Sequence, residues 1–114
     1  MCISNEMIVE KLVEKIREAH TKLPEDVKFA LKRAYKKESN PIARLMLRGI
    51  LKNIEEAERK RVPMCQDTGL PLFFVEIGKE RKIEFDILEV IRRAVMIATR
   101  EVPLRPNVVH PITR

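Results

Sequence analysis

Cysteine is scarce: the 114 residues hold two, Cys2 and Cys65, with no Cys-x-x-Cys pair and no Cys/His spacing around either. That excludes a disulfide-framed scaffold and a self-contained zinc site, which needs about four ligands. Cys2 sits at a terminus expected to be mobile, and a structural disulfide between it and Cys65 is not expected. Long apolar runs are also missing, and no stretch approaches the roughly 20 residues of a membrane span. Met1-Cys2-Ile3-Ser4-Asn5-Glu6 has neither a basic n-region nor an apolar h-region, so a cytoplasmic chain with no membrane partner is expected. No low-complexity tract or internal repeat is visible.

Apolar residues make up 45% and charged residues 35%, the composition of one small globular domain. The net charge of +6 invites a nucleic-acid partner. Its distribution argues against one, because acids are interleaved throughout, as in Glu55-Glu56-Ala57-Glu58-Arg59-Lys60-Arg61. Such patterns are solvated helix faces laced with ion pairs.

Four segments carry a helical apolar period. The first, about 5–20, places Ile8, Leu12, Val13, Ile16 and Ala19 on one face. The second opens at Pro24, with Glu25 and Asp26 in its first turn, and has the stripe Val27, Ala30, Leu31, Ala34, Tyr35. The third follows Ser39 and Asn40, either of which can cap it, starts at Pro41 and runs to about Lys60. Asn53 falls on its stripe and is expected to bond a neighbouring loop. The fourth, about 85–100, has a stripe broadened by Leu88, Met96 and Ile97, which predicts burial on more than one side.

Residues 72–77 read as a strand apolar on both faces, closed by Gly78. A lone strand cannot satisfy its own backbone groups, so its mate must be the tail near Val108-Val109, another chain, or sequence beyond Arg114. Pro103, Pro106 and Pro111 keep that tail extended. The fold class is therefore mainly α with one or two short strands, an α+β fragment. Residues 1–62 form a helical segment and residues 63–114 a second region, in one unit. The orphan strand, the broad helix face and the open tail together mark a piece of something larger.

Cys65 interrupts this scheme, because it lies in a Pro-bounded turn: Pro63-Met64-Cys65-Gln66-Asp67-Thr68-Gly69. Gly69 can take positive φ, so the turn can project a thiol, an amide, a carboxylate and a hydroxyl. On chemistry alone three readings stay open. A cysteine nucleophile needs His20 or His110 brought to it by geometry; a soft-metal ligand needs partners; a free cysteine in a turn needs neither.

This heptad, followed by an apolar strand ending in Gly78, resembles the cluster-binding segment of the class I iron-sulfur hydro-lyases, which include class I fumarate hydratase and L(+)-tartrate dehydratase. Upstream Glu38-Ser39-Asn40-Pro41 with Asn53, and downstream Leu104-Arg105-Pro106-Asn107-Val108-Val109, look like the N-terminal part of that family's α subunit. The resemblance implies a helical N-terminal region whose residues 63–114 begin the cluster-binding part, acting on a small dicarboxylate by reversible hydration of fumarate to malate. It implies a 4Fe-4S cluster in the complete enzyme, with Cys65 as one ligand and the other two cysteines outside this chain. Gln66 and Asp67 match substrate-contacting residues, with Asp67 as the catalytic candidate, and Arg105 matches an arginine that grips a carboxylate. Thr68 and Gly69 shape the turn; Arg114 is a minor candidate, and His110 has no assigned role. A β subunit or C-terminal half, and an oligomer, are the implied partners, and the isolated chain is expected to be inactive and to bind no cluster alone. The alternative from another class is a small basic helical module that binds nucleic acid or a partner protein.

Overall fold

The computed structural model describes residues 4–80, 82–105, 107, 109, 110, 112 and 113. Cys2, Pro106, Val108, Pro111 and Arg114, which carry expectations above, lie outside these residues. Among the described residues there are four helices: α1 (Asn5–Thr21), α2 (Glu25–Lys37), α3 (Pro41–Lys60) and α4 (Ile87–Glu101).

α1, α3 and α4 start where a side chain supplies an acceptor for their free N–H groups, whereas α2 starts after Pro24 with no side-chain cap. Ser4 Oγ accepts from Met7 N, Asn40 Oδ1 from Ile42 N and Ala43 N, and Asp86 Oδ1 from Leu88 N and Glu89 N. The Asn40 cap with Pro41 behind it fixes the start of α3 where expected, whereas the Asp86 cap sets α4 two residues later than its apolar period suggests. α3 ends at Arg61, which takes the left-handed conformation at φ 55° and donates its N–H back to the helix. The Arg61 guanidinium then reaches Glu14 on α1 at 2.7 Å.

The core lies between α1 and α4, where Val9, Val13 and Ile16 meet Val90, Ala94, Ala98 and Val102. Ala94 and Ala98 are fully buried, and their single methyl groups allow close packing of the two helices. The buried face of α1 is rotated from the expected one: Val9 joins the core, and Ala19 is exposed. Thr21, also buried, donates its hydroxyl to Arg17 O at 2.9 Å. Arg17 in turn bonds Glu101 at 2.8 Å, pairing α1 with the end of α4.

α3 meets α1 through its C-terminal half, where Ile54 and Ala57 are buried. α2 packs on α3 alone and buries no residue fully, so its apolar stripe is only partly used. Lys28 holds that pair together, with Nζ at 2.8 Å from Glu58 and 2.9 Å from Glu25. The hydrogen bond to Glu58 raises the Lys28 pKa, and the same bond lowers that of Glu58. The N-terminal half of α3 leaves Ile42, Leu45 and Met46 exposed. The molecule is accordingly extended, with a radius of gyration of 18.2 Å against about 13 Å for a compact chain of this size.

Two expectations change. Among the described residues no strand is present: 71–78 has no regular secondary structure and forms no ladder. Its apolar side chains lack a partner edge, so only Phe73 turns onto the core, while Leu72 and Phe74 are 80% and 96% exposed. α4 is buried on one side, by α1, and its flanks Leu88 and Met96 stay exposed because no described element covers them.

Candidate functional site

The Cys65 turn begins on a fixed point. Met64 follows the end of α3; its N–H donates to His20 O of α1 at 3.2 Å, and its carbonyl accepts from Asn53 Nδ2 of α3 at 2.7 Å. Asn53 thus bonds the neighbouring loop, as its place on the helix stripe led us to expect. Both backbone polar groups of Met64 are held by different helices, so the next residue is presented in a defined direction.

Cys65 is exposed, has no disulfide partner among the described residues, and its thiol donates to Asp67 O at 3.1 Å. Asp67 Oδ1 accepts twice, from Gly69 N at 3.0 Å and from Asn107 Nδ2 at 2.9 Å. Gly69 has φ +62°, the left-handed value that the tight return of the loop requires. The expectation that Gly69 turns the loop therefore holds. Among the described residues Oδ2 of Asp67 carries no bond, which leaves one carboxylate oxygen for a ligand.

Thr68 joins the turn to the segment after α4. Its Oγ1 accepts from Arg105 N at 3.0 Å and donates to Arg105 O at 3.4 Å, and its carbonyl faces His20 Nε2 at 2.9 Å. Leu104 N bonds Thr99 O at 3.2 Å and so starts this segment from the end of α4. Cys65, Asp67 and Arg105, which the sequence places in two distant stretches, are thereby brought together by the ends of α1, α3 and α4. Arg105 is exposed, and among the described residues its guanidinium has no hydrogen bond or ion pair. Gln66 is exposed as well.

A groove of about 500 Å³ runs between α1 and the turn, lined by Leu12, His20, Met64, Cys65, Asp67 and Phe73 among others. Gln66 and Arg105 lie outside its lining. Neither histidine is hydrogen-bonded to Cys65: both ring nitrogens of His20 face carbonyl oxygens, and His110 Nδ1 accepts from Ile112 N and Thr113 N. The geometry of a cysteine nucleophile with its base is therefore not assembled among the described residues.

The donor set fits one ligand of an iron-sulfur cluster. A thiol exposed on a pinned loop is the soft donor such a centre takes. Among the described residues no group of three or more Cys, His, Asp or Glu side chains is placed to hold a metal, so further thiolates would come from outside them. Two participants, His20 and Asn107, were not assigned roles from the sequence. Asn107 carried a weak signal, two residues beyond Arg105; His20 was weighed only as a base for Cys65, and nothing in the sequence signalled its bond to Thr68, 48 residues away.

A family model described as fumarate hydratase (fumerase) matches residues 9–114. The chain is 52% identical over 109 residues to the putative L(+)-tartrate dehydratase subunit alpha of Methanocaldococcus jannaschii, covering 94% of this chain and 38% of that protein. It is 37% identical over 109 residues to the putative fumarate hydratase class I of Geobacillus stearothermophilus, covering 95% of this chain and 21% of that protein. The L(+)-tartrate dehydratase subunit alpha of Escherichia coli K12 is 31% identical over 90 residues, or 79% of this chain and 30% of that protein. The chain thus spans well under half the length of these relatives.

Proposed function

The chain belongs to the fumarate hydratase family, and on that premise we propose that it is the N-terminal portion of the α subunit of a 4Fe-4S hydro-lyase. The observation that carries the reading is the Cys65 turn: an exposed thiol on a loop tied to α1, to α3 and to the segment after α4, beside Asp67 and bonded to the Arg105 backbone. Family membership displaces the alternative of a free-standing basic module. Among the described residues no helix is long and apolar enough to cross a membrane.

Cys65 would hold one corner of the cluster, with the remaining cysteines supplied from outside this chain. Bound, the cluster supplies a Lewis-acidic iron that polarises the substrate's hydroxyl and carboxylate. Asp67 orients the leaving or entering hydroxyl through the oxygen that Gly69 and Asn107 leave unused. The Gln66 amide donates to a substrate carboxylate, and the Arg105 fork takes a carboxylate in a bidentate pair. The base that moves the carbon-bound proton lies outside this chain, as does the partner, a β subunit or C-terminal half. The isolated chain, with one cluster ligand, is inactive.

The substrate is a small 2-hydroxy dicarboxylate, and fumarate–malate interconversion is our first reading. A second reading, dehydration of tartrate, is favoured by the name of the relative that is 52% identical. Turnover of fumarate, malate and tartrate by the complete reconstituted assembly tests both. Hydration of fumarate supports the first reading and turnover of tartrate alone the second; an assembly that turns over none of the three contradicts the hydro-lyase reading.

A further inference from the structure

The Cys65 turn is held to α1 by a residue that none of the chemistry above uses. His20 lies in the last turn of α1 and is partly buried. Its Nδ1 is 2.7 Å from Ile16 O, one helical turn back, and its Nε2 is 2.9 Å from Thr68 O in the turn. Its own carbonyl accepts from Met64 N at 3.2 Å. One residue therefore grips the turn on both sides of Cys65, at Met64 and at Thr68.

We propose that His20 is the positioning residue of the Cys65 turn, a side-chain clamp that fixes where the thiol points. The imidazole suits the task because it spans two carbonyl oxygens with a rigid ring, so fixing one end aims the other. A ring N–H aimed at Thr68 O donates to it, since a carbonyl oxygen only accepts. The backbone bond to Met64 holds the entry of the turn whatever the side chain is. The ring bond to Thr68 is what holds the exit, together with the Thr68 to Arg105 pair. Loss of the ring bond leaves residues 65–69 tied at their exit only to the segment after α4, through Arg105 and Asn107, and no longer to α1.

The clamp stands on geometry alone, while its bearing on catalysis rests on the cluster reading above. Two variants separate its arms. A glutamine amide nitrogen reaches the position of Nε2, so His20→Gln keeps the bond to Thr68. An asparagine amide nitrogen matches Nδ1, so His20→Asn keeps only the local bond to Ile16. Backbone ¹⁵N relaxation on this chain is expected to give rigid values at residues 64–69 in wild type, near ~0.85, falling below about 0.6 in His20→Asn and recovering in His20→Gln. In the complete assembly, iron bound per chain falls severalfold in His20→Asn and returns in His20→Gln. A turn equally rigid in wild type and His20→Asn overturns the proposal, as does a turn already mobile in wild type. Should His20→Asn lose its helical circular dichroism, the wild-type relaxation values and His20→Gln alone decide. A clamp that behaves as expected in an assembly whose cluster survives Cys65→Ser leaves His20 in place and removes the cluster reading instead.

Discussion

Asn107 Nδ2 donates to Asp67 Oδ1 at 2.9 Å, across 40 residues of sequence. With Gly69 N on the same oxygen, Asp67 can rotate only by giving up two bonds, and its second oxygen is aimed. Asn107→Ala removes one of the two. In the complete assembly we expect kcat/KM to fall about tenfold, equivalent to about 1.4 kcal/mol. Steady-state kinetics on the dicarboxylate substrate check this; unchanged kinetics would show that the Asn107 bond does not orient the carboxylate.

Thr68 is the other link between the turn and the segment after α4. Thr68→Val keeps the shape and loses the hydroxyl, whereas Thr68→Ser keeps the hydroxyl. If Arg105 grips a carboxylate, the valine variant raises KM severalfold and the serine variant stays near wild type. Equal KM values for the two variants would remove Thr68 from the positioning of Arg105.

Two glycines should respond with opposite signs to alanine. Gly69 sits at φ +62° with open space where a Cβ would go, so Gly69→Ala costs backbone strain and nothing steric. That strain is about 1–2 kcal/mol. Gly49 lies inside α3, also with nothing near its Cβ position, and Gly49→Ala should stabilise by about 0.5–1 kcal/mol. Denaturant unfolding of the two variants distinguishes them by the direction of the midpoint shift.

The α2–α3 contact is expected to be acid-sensitive. Glu58 is held below the ordinary carboxylate value by its bond to Lys28. Its stabilising contribution is complete above that ordinary value and is lost as pH falls through the lowered one. Lys28, raised by the same bond, keeps its contribution up to the ordinary lysine value and loses it as pH climbs through the raised one. Amide protection factors in α2, corrected for the intrinsic exchange rate at each pH, should fall earlier on acidification than those in α4, and Lys28→Met should abolish this pH dependence.

The parts of this fold that were legible in the sequence are those decided locally. Asn40 followed by Pro41 announces α3 because the cap and the fixed proline φ act within four residues. The α1 and α4 periods were legible for the same reason, but not the rotation that buries Val9 and exposes Ala19, which depends on how α4 lies against α1. Residues 72–77 have the pattern of a strand and no ladder, because a strand needs a neighbour that a pattern does not supply. At the site, the Cys65 heptad was legible from its residue types and from its resemblance to a family. The attachments through His20, Asn107 and Asn53 to Met64 are contacts between distant segments, and of these only the Asn53 bond was anticipated.

The central claim is that Cys65 anchors an iron-sulfur cluster. The direct test is anaerobic reconstitution of the complete assembly with iron and sulfide, comparing wild type with Cys65→Ser for cluster absorption and dicarboxylate turnover. The account predicts that wild type shows both and that Cys65→Ser loses both together. A Cys65→Ser assembly that keeps its cluster and its turnover would contradict it.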